Sequence, residues 1–248
     1  MPDGQNSSRY LQRRRFPDGV GILLRDRATD AVELMDLPDC DPRRLDNTYR
    51  QFGVVNRTIS GWRRLYRHEI RPLLAARPLT LLDIGSGGGD LAVMLARWAL
   101  RDGLTLEVTG IDPDPRATSF ARKRPPVRGV TFRQAHSADL VAEDRNYDIV
   151  ISNHVLHHLS EDDLQQLLKH SEILATGKAL HNDLRRSPVA FTLFSVAALP
   201  FPGSFIRADG LTSIRRSYTP GELQEFAPPG WSVQRTTAFH QVLMYRRH

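Results

Sequence analysis

The stretch LLDIGSGGGD at residues 81–90 decides the fold of this chain. A short apolar run stops at an acidic residue and a glycine-rich turn, which is the pattern of a β-strand, a loop and a following helix. Because glycine has no Cβ, a loop with glycines at 85, 87, 88 and 89 can adopt positive φ angles and let a ligand approach its backbone. We expect the helix to begin at Asp90 or just after it.

The spacing of these glycines separates two classes of nucleotide cofactor. The dinucleotide pattern G-x-G-x-x-G, started at Gly85 and Gly87, requires a third glycine at position 90, which is Asp. A carboxylate at a helix N-terminus opposes a bound pyrophosphate. A zwitterionic nucleoside such as S-adenosylmethionine fits better, with Asp83 placed to receive its ammonium group directly or through water.

A second strand, about residues 106–111, ends at Asp112 and Pro113. An acidic residue that closes this strand can accept both hydroxyls of a ribose. Asp112 does this for either cofactor class, so it indicates a nucleoside without identifying it. Further strands are predicted at about 129–134 and 147–152.

Four sequence blocks then occur in order across residues 79–159: LLDIGSGGGD, GIDPDP, SADL and YDIVISNHVLHHL. Together they resemble the class I S-adenosylmethionine-dependent methyltransferases. The nearest likeness is to the small-molecule branch that methylates quinone precursors, phenolics and polyketides. The segment YRQFGVVNR at residues 49–57 resembles the N-terminal helical cap of that branch.

The resemblance implies an α/β fold, with a Rossmann-like doubly wound seven-stranded sheet and an antiparallel last strand. We expect an N-terminal arm at 1–45, of which about the first 18 residues are mobile, and a methyltransferase domain at 46–248. Within that domain, a helical cap spans 46–75 and a lid is inserted at about 185–218. The last two strands, near 231–235 and 239–246, would form an antiparallel hairpin.

The resemblance also implies a cofactor site for S-adenosylmethionine. The family's adenine contacts, counted back from the fourth strand, fall on His136 and Ser137, although a shift of two or three residues would use Asp139 instead. Asn153 corresponds to a family position near the methionine moiety. The predicted cofactor residues are Asp83, Gly85, Ser86, Gly87, Asp112, Pro113, His136, Ser137, Asn153 and Tyr49, with Gly89 in the same loop.

The sulfonium already activates the methyl group, so the protein must mainly align the acceptor and exclude water. An oxygen acceptor also has to lose a proton, and a phenol has a pKa of about 10, so a histidine base would help. We predict His154 or His181 in this role ahead of His157, with Asp183 orienting the histidine. The histidines lack H-E-x-x-H spacing and no acidic cluster was found, so no metal is predicted.

The apolar segment at 189–204 is expected to form a wall over the methyl-transfer face, although simple packing on the domain is the alternative. Phe191, Phe194 and Phe205 are candidates to contact a flat aromatic or acyl-bearing acceptor. The predicted partner is therefore a small hydrophobic or aromatic molecule. Methylation of oxygen is favoured by the resemblance, with carbon and nitrogen acceptors left open.

The composition limits the other functions. The net charge of +6 comes from arginines in separate clusters without a basic and aromatic stripe, which disfavours a nucleic-acid partner. The apolar segment is too short and too rich in proline to span a bilayer. A single cysteine, Cys40, excludes a disulfide framework and suits the cytoplasm. A protein or nucleic-acid methyltransferase, a non-catalytic binding module and an NAD-dependent oxidoreductase remain as alternatives, and the sequence does not specify the oligomeric state.

Overall fold

The computed structural model describes residues 24–247. The first part of the predicted N-terminal arm, including its arginine-rich start, lies outside these residues. The arm's described part and everything that follows pack around one sheet.

Within residues 24–247, seven strands form one mixed sheet in the order β3-β2-β1-β4-β5-β7-β6. Strands β1 to β5 are parallel, and β7 runs antiparallel to both β5 and β6. This confirms the predicted Rossmann-like doubly wound sheet and its closing hairpin. The strands are β1 Leu79–Ile84, β2 Leu106–Asp112, β3 Val130–Gln134, β4 Tyr147–Asn153, β5 Ala175–Leu184, β6 Trp231–Arg235 and β7 His240–Arg246.

Helices cover both faces of the sheet. A π-helical turn at Tyr66–Ile70 joins α2 and α3, and 3-10 turns occur at Leu34–Asp36 and Leu156–His158. The α-helices are α1 Pro42–Thr58, α2 Trp62–Leu65, α3 Arg71–Leu74, α4 Asp90–Arg101, α5 Pro115–Arg122, α6 Ser137–Ala142, α7 Glu161–Leu174, α8 Pro188–Ala197, α9 Ile206–Arg216 and α10 Pro220–Phe226.

The alternation of side chains along the strands supplies two separate cores. Leu81 and Ile149 face the layer formed by α2, α3 and α4, whereas Leu82 and Val150 face the layer of α6, α7 and α10. All four side chains are fully buried. Because the sheet is buried on both faces, its functional groups are confined to the ends of the strands.

The start of α7 shows how local sequence sets an element. Ser160 is the N-cap residue, and its Oγ accepts a hydrogen bond from the Asp163 backbone N–H (3.1 Å). Three acidic residues in the first turn interact favourably with the helix dipole and stabilise the helix. The helix ends at Leu174, because β5 already begins at Ala175.

The predicted lid is made of α8 and α9, which pack against each other and against the arm. Gly210 of α9 lies so close to Phe194 of α8 that an added Cβ would sit 2.3 Å from the ring. Asp209 of α9 accepts hydrogen bonds from the backbone N–H groups of Leu34 (2.8 Å) and Met35 (3.0 Å). The arm, the lid and the cap helix α1 therefore form one wall across the carboxyl ends of the strands.

Among residues 24–247, no helix has both the length and the apolar character needed to cross a membrane.

Candidate functional site

A cavity of about 680 Å³ lies at the carboxyl ends of β1, β2 and β4. This volume lies within the range of small-molecule and cofactor sites. One side is formed by the glycine-rich loop and the ends of β1 and β2. The opposite side is formed by the arm, the cap helix, the lid and the start of β7.

The glycine-rich loop requires glycine at several positions. Gly85, Gly87 and Gly89 have φ angles of 68°, 53° and 76°, which side chains rarely adopt. An added Cβ at Gly85 would approach Val155 to 2.6 Å, and one at Gly89 would approach Phe132 to 2.4 Å. Nothing lies within 4 Å of that position at Gly87, which leaves its backbone accessible from the cavity it lines.

Asp83, at the end of β1, lines the cavity and is 1% exposed. Neither carboxylate oxygen has a hydrogen-bond partner among the described residues. Burial raises the pKa of Asp83 well above its usual range, and the nearby Asp90 and Asp112 raise it further. A buried carboxylate without a partner is costly, and a cationic group in the cavity would supply the missing interaction.

Asp112, at the end of β2, holds the loop in place. It accepts hydrogen bonds from the backbone N–H groups of Gly87 (2.8 Å) and Asp114 (2.9 Å). Burial raises its pKa, and these two hydrogen bonds partly oppose the rise. Asp112 and the adjacent Pro113 both line the cavity, and the prediction that Asp112 receives ribose hydroxyls places that ligand here.

An amide network joins the cap to the sheet. Asn56 of α1 donates to Asp90 Oδ2 (2.9 Å) and accepts from Nδ2 of Asn153 (3.0 Å). Trp62 Nε1 donates to Asn153 Oδ1 (2.8 Å). Asn56, Asp90 and Asn153 also line the cavity, so the network fixes polar groups beside Asp83 while attaching α1 to the loop.

Other predicted cofactor residues also reach this cavity. Tyr49 and Ser86 line it, and the Tyr49 Cβ lies against the backbone of Gly88. His136 and Ser137 line it too, whereas Asp139 is absent from the lining and its carboxylate accepts the His136 backbone N–H (2.8 Å). Of the two adenine alignments, the one that uses 136 and 137 has both its residues in the cavity lining.

Two histidines form a pair on the other side of the cavity. His154 follows β4 with a φ of 58°, and His240 begins β7. Their Nε2 atoms lie 2.8 Å apart, so one of the two nitrogens donates and the other accepts. Burial lowers the pKa of His154 to about 4 and that of His240 well below its usual range. Both rings are therefore neutral near pH 7.

His181 does not line the cavity, although the sequence suggested it as a base. Its side chain is fully buried, its Nδ1 lies 2.8 Å from Ser152 Oγ, and its ring stacks on Trp231. Side chains alternate along β5, and position 181 faces the layer of α7 and α10 instead of the cavity. In this structure, His181 therefore has no access to an acceptor in the cavity.

Asp183 also lies outside the cavity lining, and it binds His157. Its Oδ1 accepts from His157 Nδ1 (2.6 Å), and its Oδ2 accepts the His157 backbone N–H (2.9 Å). Burial acts to lower the pKa of His157, but the charges of Asp183 and Glu33 outweigh it and raise the pKa to about 10. Asp183 thus orients His157, not His154 or His181.

Acidic side chains predominate over basic ones in the described lining of the cavity. Its lining contains seven aspartates and five histidines, and none of the described residues that line it is lysine or arginine. Such a surface favours cations and disfavours phosphate-rich ligands. Sequence reasoning missed several residues on the side opposite the glycine-rich loop: Met35, Asp36, Asp209, Ser213 and His240. They come from segments far apart in the chain, and no local motif marks them.

Of the three phenylalanines proposed for acceptor contact, Phe194 lines the cavity. Phe205 is buried against Leu45 and Tyr49, with the Arg44 guanidinium 4.3 Å above its ring. Phe191 packs within the lid core. The lid therefore contributes one of its three candidate aromatic side chains to the cavity.

Comparison with known proteins agrees with this architecture. Residues 81–177 match the family model described as a methyltransferase domain. The ubiquinone biosynthesis O-methyltransferase of Cereibacter sphaeroides strain ATCC 17025 is 34% identical over 136 residues, which cover 54% of this chain and 52% of the relative. Its counterpart from strain ATCC 17029 is 33% identical over 165 residues, 65% of this chain and 60% of the relative. The chain spans about half to three fifths of the length of these curated relatives.

Solved structures with low sequence identity share the fold. The plantazolicin methyltransferase BpumL in complex with SAH has a TM-score of 0.65 at 12% identity, and the match covers 94% of this chain and 99% of that one. The plantazolicin methyltransferase BamL in complex with a triazolic desmethylPZN analog and SAH has a TM-score of 0.53 at 14% identity, and the match covers 84% of this chain and 96% of that one. At these identities the likeness concerns the fold alone.

Proposed function

Because this chain is a class I S-adenosylmethionine-dependent methyltransferase by its family match and its fold, we propose that it methylates a small apolar acceptor. The proposed acceptor group is a hydroxyl of a phenolic, quinone or polyketide-type metabolite. The observation that carries the proposal is one cavity with two different walls. An acidic wall with an unpartnered carboxylate at Asp83 faces a wall with a neutral histidine pair.

The acidic wall fits S-adenosylmethionine. Asp83 would hold its ammonium group, and Asp112 would hold the ribose hydroxyls. His136 and Ser137 would contact the adenine, with the backbone of Gly87 open beside the ligand. When bound, this cofactor supplies a methyl group that its sulfonium has already activated. The remaining tasks of the protein are to orient the acceptor, exclude water and accept a proton.

The histidine pair suits the acceptance of a proton from a hydroxyl. Both rings line the cavity, and burial lowers the pKa of His154 to about 4, so the ring is unprotonated at physiological pH but is a weak base. In the His154–His240 pair, a proton gained on one ring can be shared with the other through the Nε2 atoms. We assign His154 as the proton acceptor and His240 as the residue that positions it.

The acceptor class follows from the rest of the lining. Apolar side chains from the cap, β5 and the lid cover this side of the cavity: Phe52, Val55, Ile59, Leu184, Phe194 and Ile206. With aspartates nearby and no basic residue in the described lining, a neutral aromatic or aliphatic molecule is favoured over an anionic one. The same charges count against nucleic acid as the acceptor.

The relatives named ubiquinone biosynthesis O-methyltransferase support an oxygen acceptor of quinone type. The single cysteine supports the prediction of a cytoplasmic location. A binding module that holds S-adenosylmethionine without chemistry would keep the acidic wall but would not need the histidine pair.

The test is a methyl-transfer assay with methyl-labelled S-adenosylmethionine and matched acceptors. Each pair consists of a phenol or hydroquinone and the same molecule with an added carboxylate, and the methyl ether of each phenol is the blank. We expect label in the neutral hydroxyl compounds and lower kcat/KM for their acidic partners. Cofactor binding without transfer to any hydroxyl acceptor would contradict the proposal, as would transfer only to RNA or peptide acceptors.

A further inference from the structure

Three side chains that the proposed transfer does not use meet where the arm touches the turn after β4. They are Glu33, His157 and His158, with ligand-type atoms all within 4.8 Å of one another. Glu33 and His157 are 3% and 2% exposed, and His158 lines the cavity. The cluster is therefore buried on one side and reaches the cavity on the other.

The distances within this cluster suit a metal ion better than a hydrogen bond. His157 Nε2 lies 3.4 Å from Glu33 Oε1, and His158 Nε2 lies 3.7 Å from Glu33 Oε2. Ligands at about 2.0–2.1 Å from a tetrahedral zinc ion are about 3.3 Å apart. His157 Nε2 is buried and has no hydrogen-bond partner among the described residues. This nitrogen points at the carboxylate, whose charge helps to raise the pKa of His157, so a bound ion would replace the proton that the imidazole otherwise holds.

The surroundings direct both imidazoles toward the same point. Asp183 accepts from His157 Nδ1 (2.6 Å), and Asp36 Oδ2 lies 3.2 Å from His158 Nδ1. A carboxylate on Nδ1 leaves Nε2 as the free ligand atom, which is the usual outer arrangement of metal-bound histidines. Ser213 donates to Glu33 Oε1 (2.8 Å) and fixes that carboxylate as well.

We propose that Glu33, His157 and His158 bind a divalent transition-metal ion of the zinc class. Two imidazoles and one carboxylate are a known ligand set for zinc and for other borderline metals. The sequence predicted no metal because the histidines lack a familiar spacing. Glu33 comes from the arm, and only the folded structure brings it to them.

Three protein ligands leave a coordination position open. His158, Asp36 and Ser213 all line the cavity, so the open position lies on its acceptor side. If the proposed methylation of a hydroxyl is correct, an ion here would favour the deprotonated acceptor by binding its oxygen. This role rests on the proposed function, whereas the binding of the ion does not.

Cobalt(II) is the probe, because its visible absorption reports tetrahedral coordination. The full chain, without a purification tag, is treated with a chelator, dialysed and titrated with Co²⁺ and then with Zn²⁺. We expect one equivalent of Co²⁺ to bind with strong visible bands, and Zn²⁺ to displace it. His158→Ala and Glu33→Gln should abolish the bands, and Asp36→Asn should weaken binding by about 10–100-fold.

The matched control is His68→Ala, since His68 is an exposed histidine remote from the cavity lining. It should keep the full signal. Circular dichroism and the affinity for S-adenosylmethionine verify that each variant is folded. The proposal is overturned if the folded wild-type protein does not bind one equivalent of Co²⁺. That result is expected if a proton, and not a metal ion, is held between Glu33 and His157. The proposal is also overturned if folded His158→Ala retains the bands. Loss of methyl transfer with intact Co²⁺ binding would instead count against the proposed function alone.

Discussion

The two walls of the cavity are built in different ways. The acidic wall, which we assign to the cofactor and also call the cofactor wall, comes from short, contiguous segments: the strand and loop at 79–90 and the end of β2. The acceptor wall combines the arm, the turn after β4, the lid and β7, and its hydrogen bonds join residues up to 180 positions apart. Local backbone rules therefore determine the first wall, and tertiary packing determines the second. We expect substitutions in each wall to affect different steps.

The largest expected effect is on the acceptor wall, at His154. His154→Asn keeps a residue that tolerates the positive φ but removes the proton acceptor. We expect kcat to fall by about 10²–10⁴-fold, with unchanged affinity for S-adenosylmethionine. His170→Asn is the matched control, because His170 lines the cavity but pairs with Ser137. Equal losses of kcat in both variants would contradict the assignment of His154 as the proton acceptor.

The wild-type pH profile sharpens the same point. Burial lowers the pKa of His154 to about 4, so the base stays unprotonated above that pH. We expect kcat not to decrease as the pH falls through about 6.5, where an exposed histidine becomes protonated. A steady-state profile between pH 5 and 8 checks this, and a clear limb near 6.5 would mean that a solvated histidine acts instead.

The next effect is on the cofactor wall. Asp112→Ala removes the carboxylate that fixes the Gly87 and Asp114 amides and that we assign to the ribose. We expect affinity for S-adenosylmethionine to fall by about 10–150-fold, or about 1.5–3 kcal/mol for hydrogen bonds to a charged group. Glu107→Gln, an exposed change on the same strand, should leave affinity unchanged in calorimetry. If Asp112→Ala binds the cofactor as tightly as wild type, the assignment of this wall fails.

A smaller effect concerns His181, which the sequence placed among the candidate bases. Burial lowers its pKa to about 3, partly opposed by Asp183. Below about pH 6.5 the unfolded chain takes up a proton that the folded state excludes. The unfolding free energy should therefore fall with decreasing pH between about 6.5 and 3, by up to about 1.4 kcal/mol per unit from this group. Urea unfolding at pH 7 and 5 should show a shallower dependence in His181→Asn, with kcat retained. A large kcat loss in a folded variant would return His181 to the chemistry.

The smallest effect is expected in the lid. Phe194→Leu trims one apolar side chain of the acceptor wall, at about 1 kcal/mol. We expect KM for an aromatic acceptor to rise about fivefold, with unchanged cofactor affinity. Phe191→Leu, in the lid core outside the cavity lining, is the control. The same KM rise in both variants would indicate general loosening of the lid.

The contrast between the walls also explains what the sequence could predict. The glycine loop is encoded locally, because β1, the loop and α4 follow one another within 23 residues. The seven-stranded sheet and its closing hairpin were implied by the family resemblance. Asp83 and Asp112 were predictable because each ends a recognisable strand. The partner of His154 was not, since His240 is 86 positions away. Glu33 and Asp209 were missed for the same reason, because nothing near either residue in sequence indicates the contact. For His181, the sequence left open which face of the sheet the side chain would occupy.

The most direct test of the central claim is a calorimetric titration of the purified protein with S-adenosylmethionine, S-adenosylhomocysteine and NAD in parallel. The unpartnered Asp83 and the aspartate at position 90 predict micromolar binding of the first two and none of NAD. Binding of NAD without binding of either sulfur nucleoside would contradict the account of the acidic wall, and the proposed methyl transfer would fail with it.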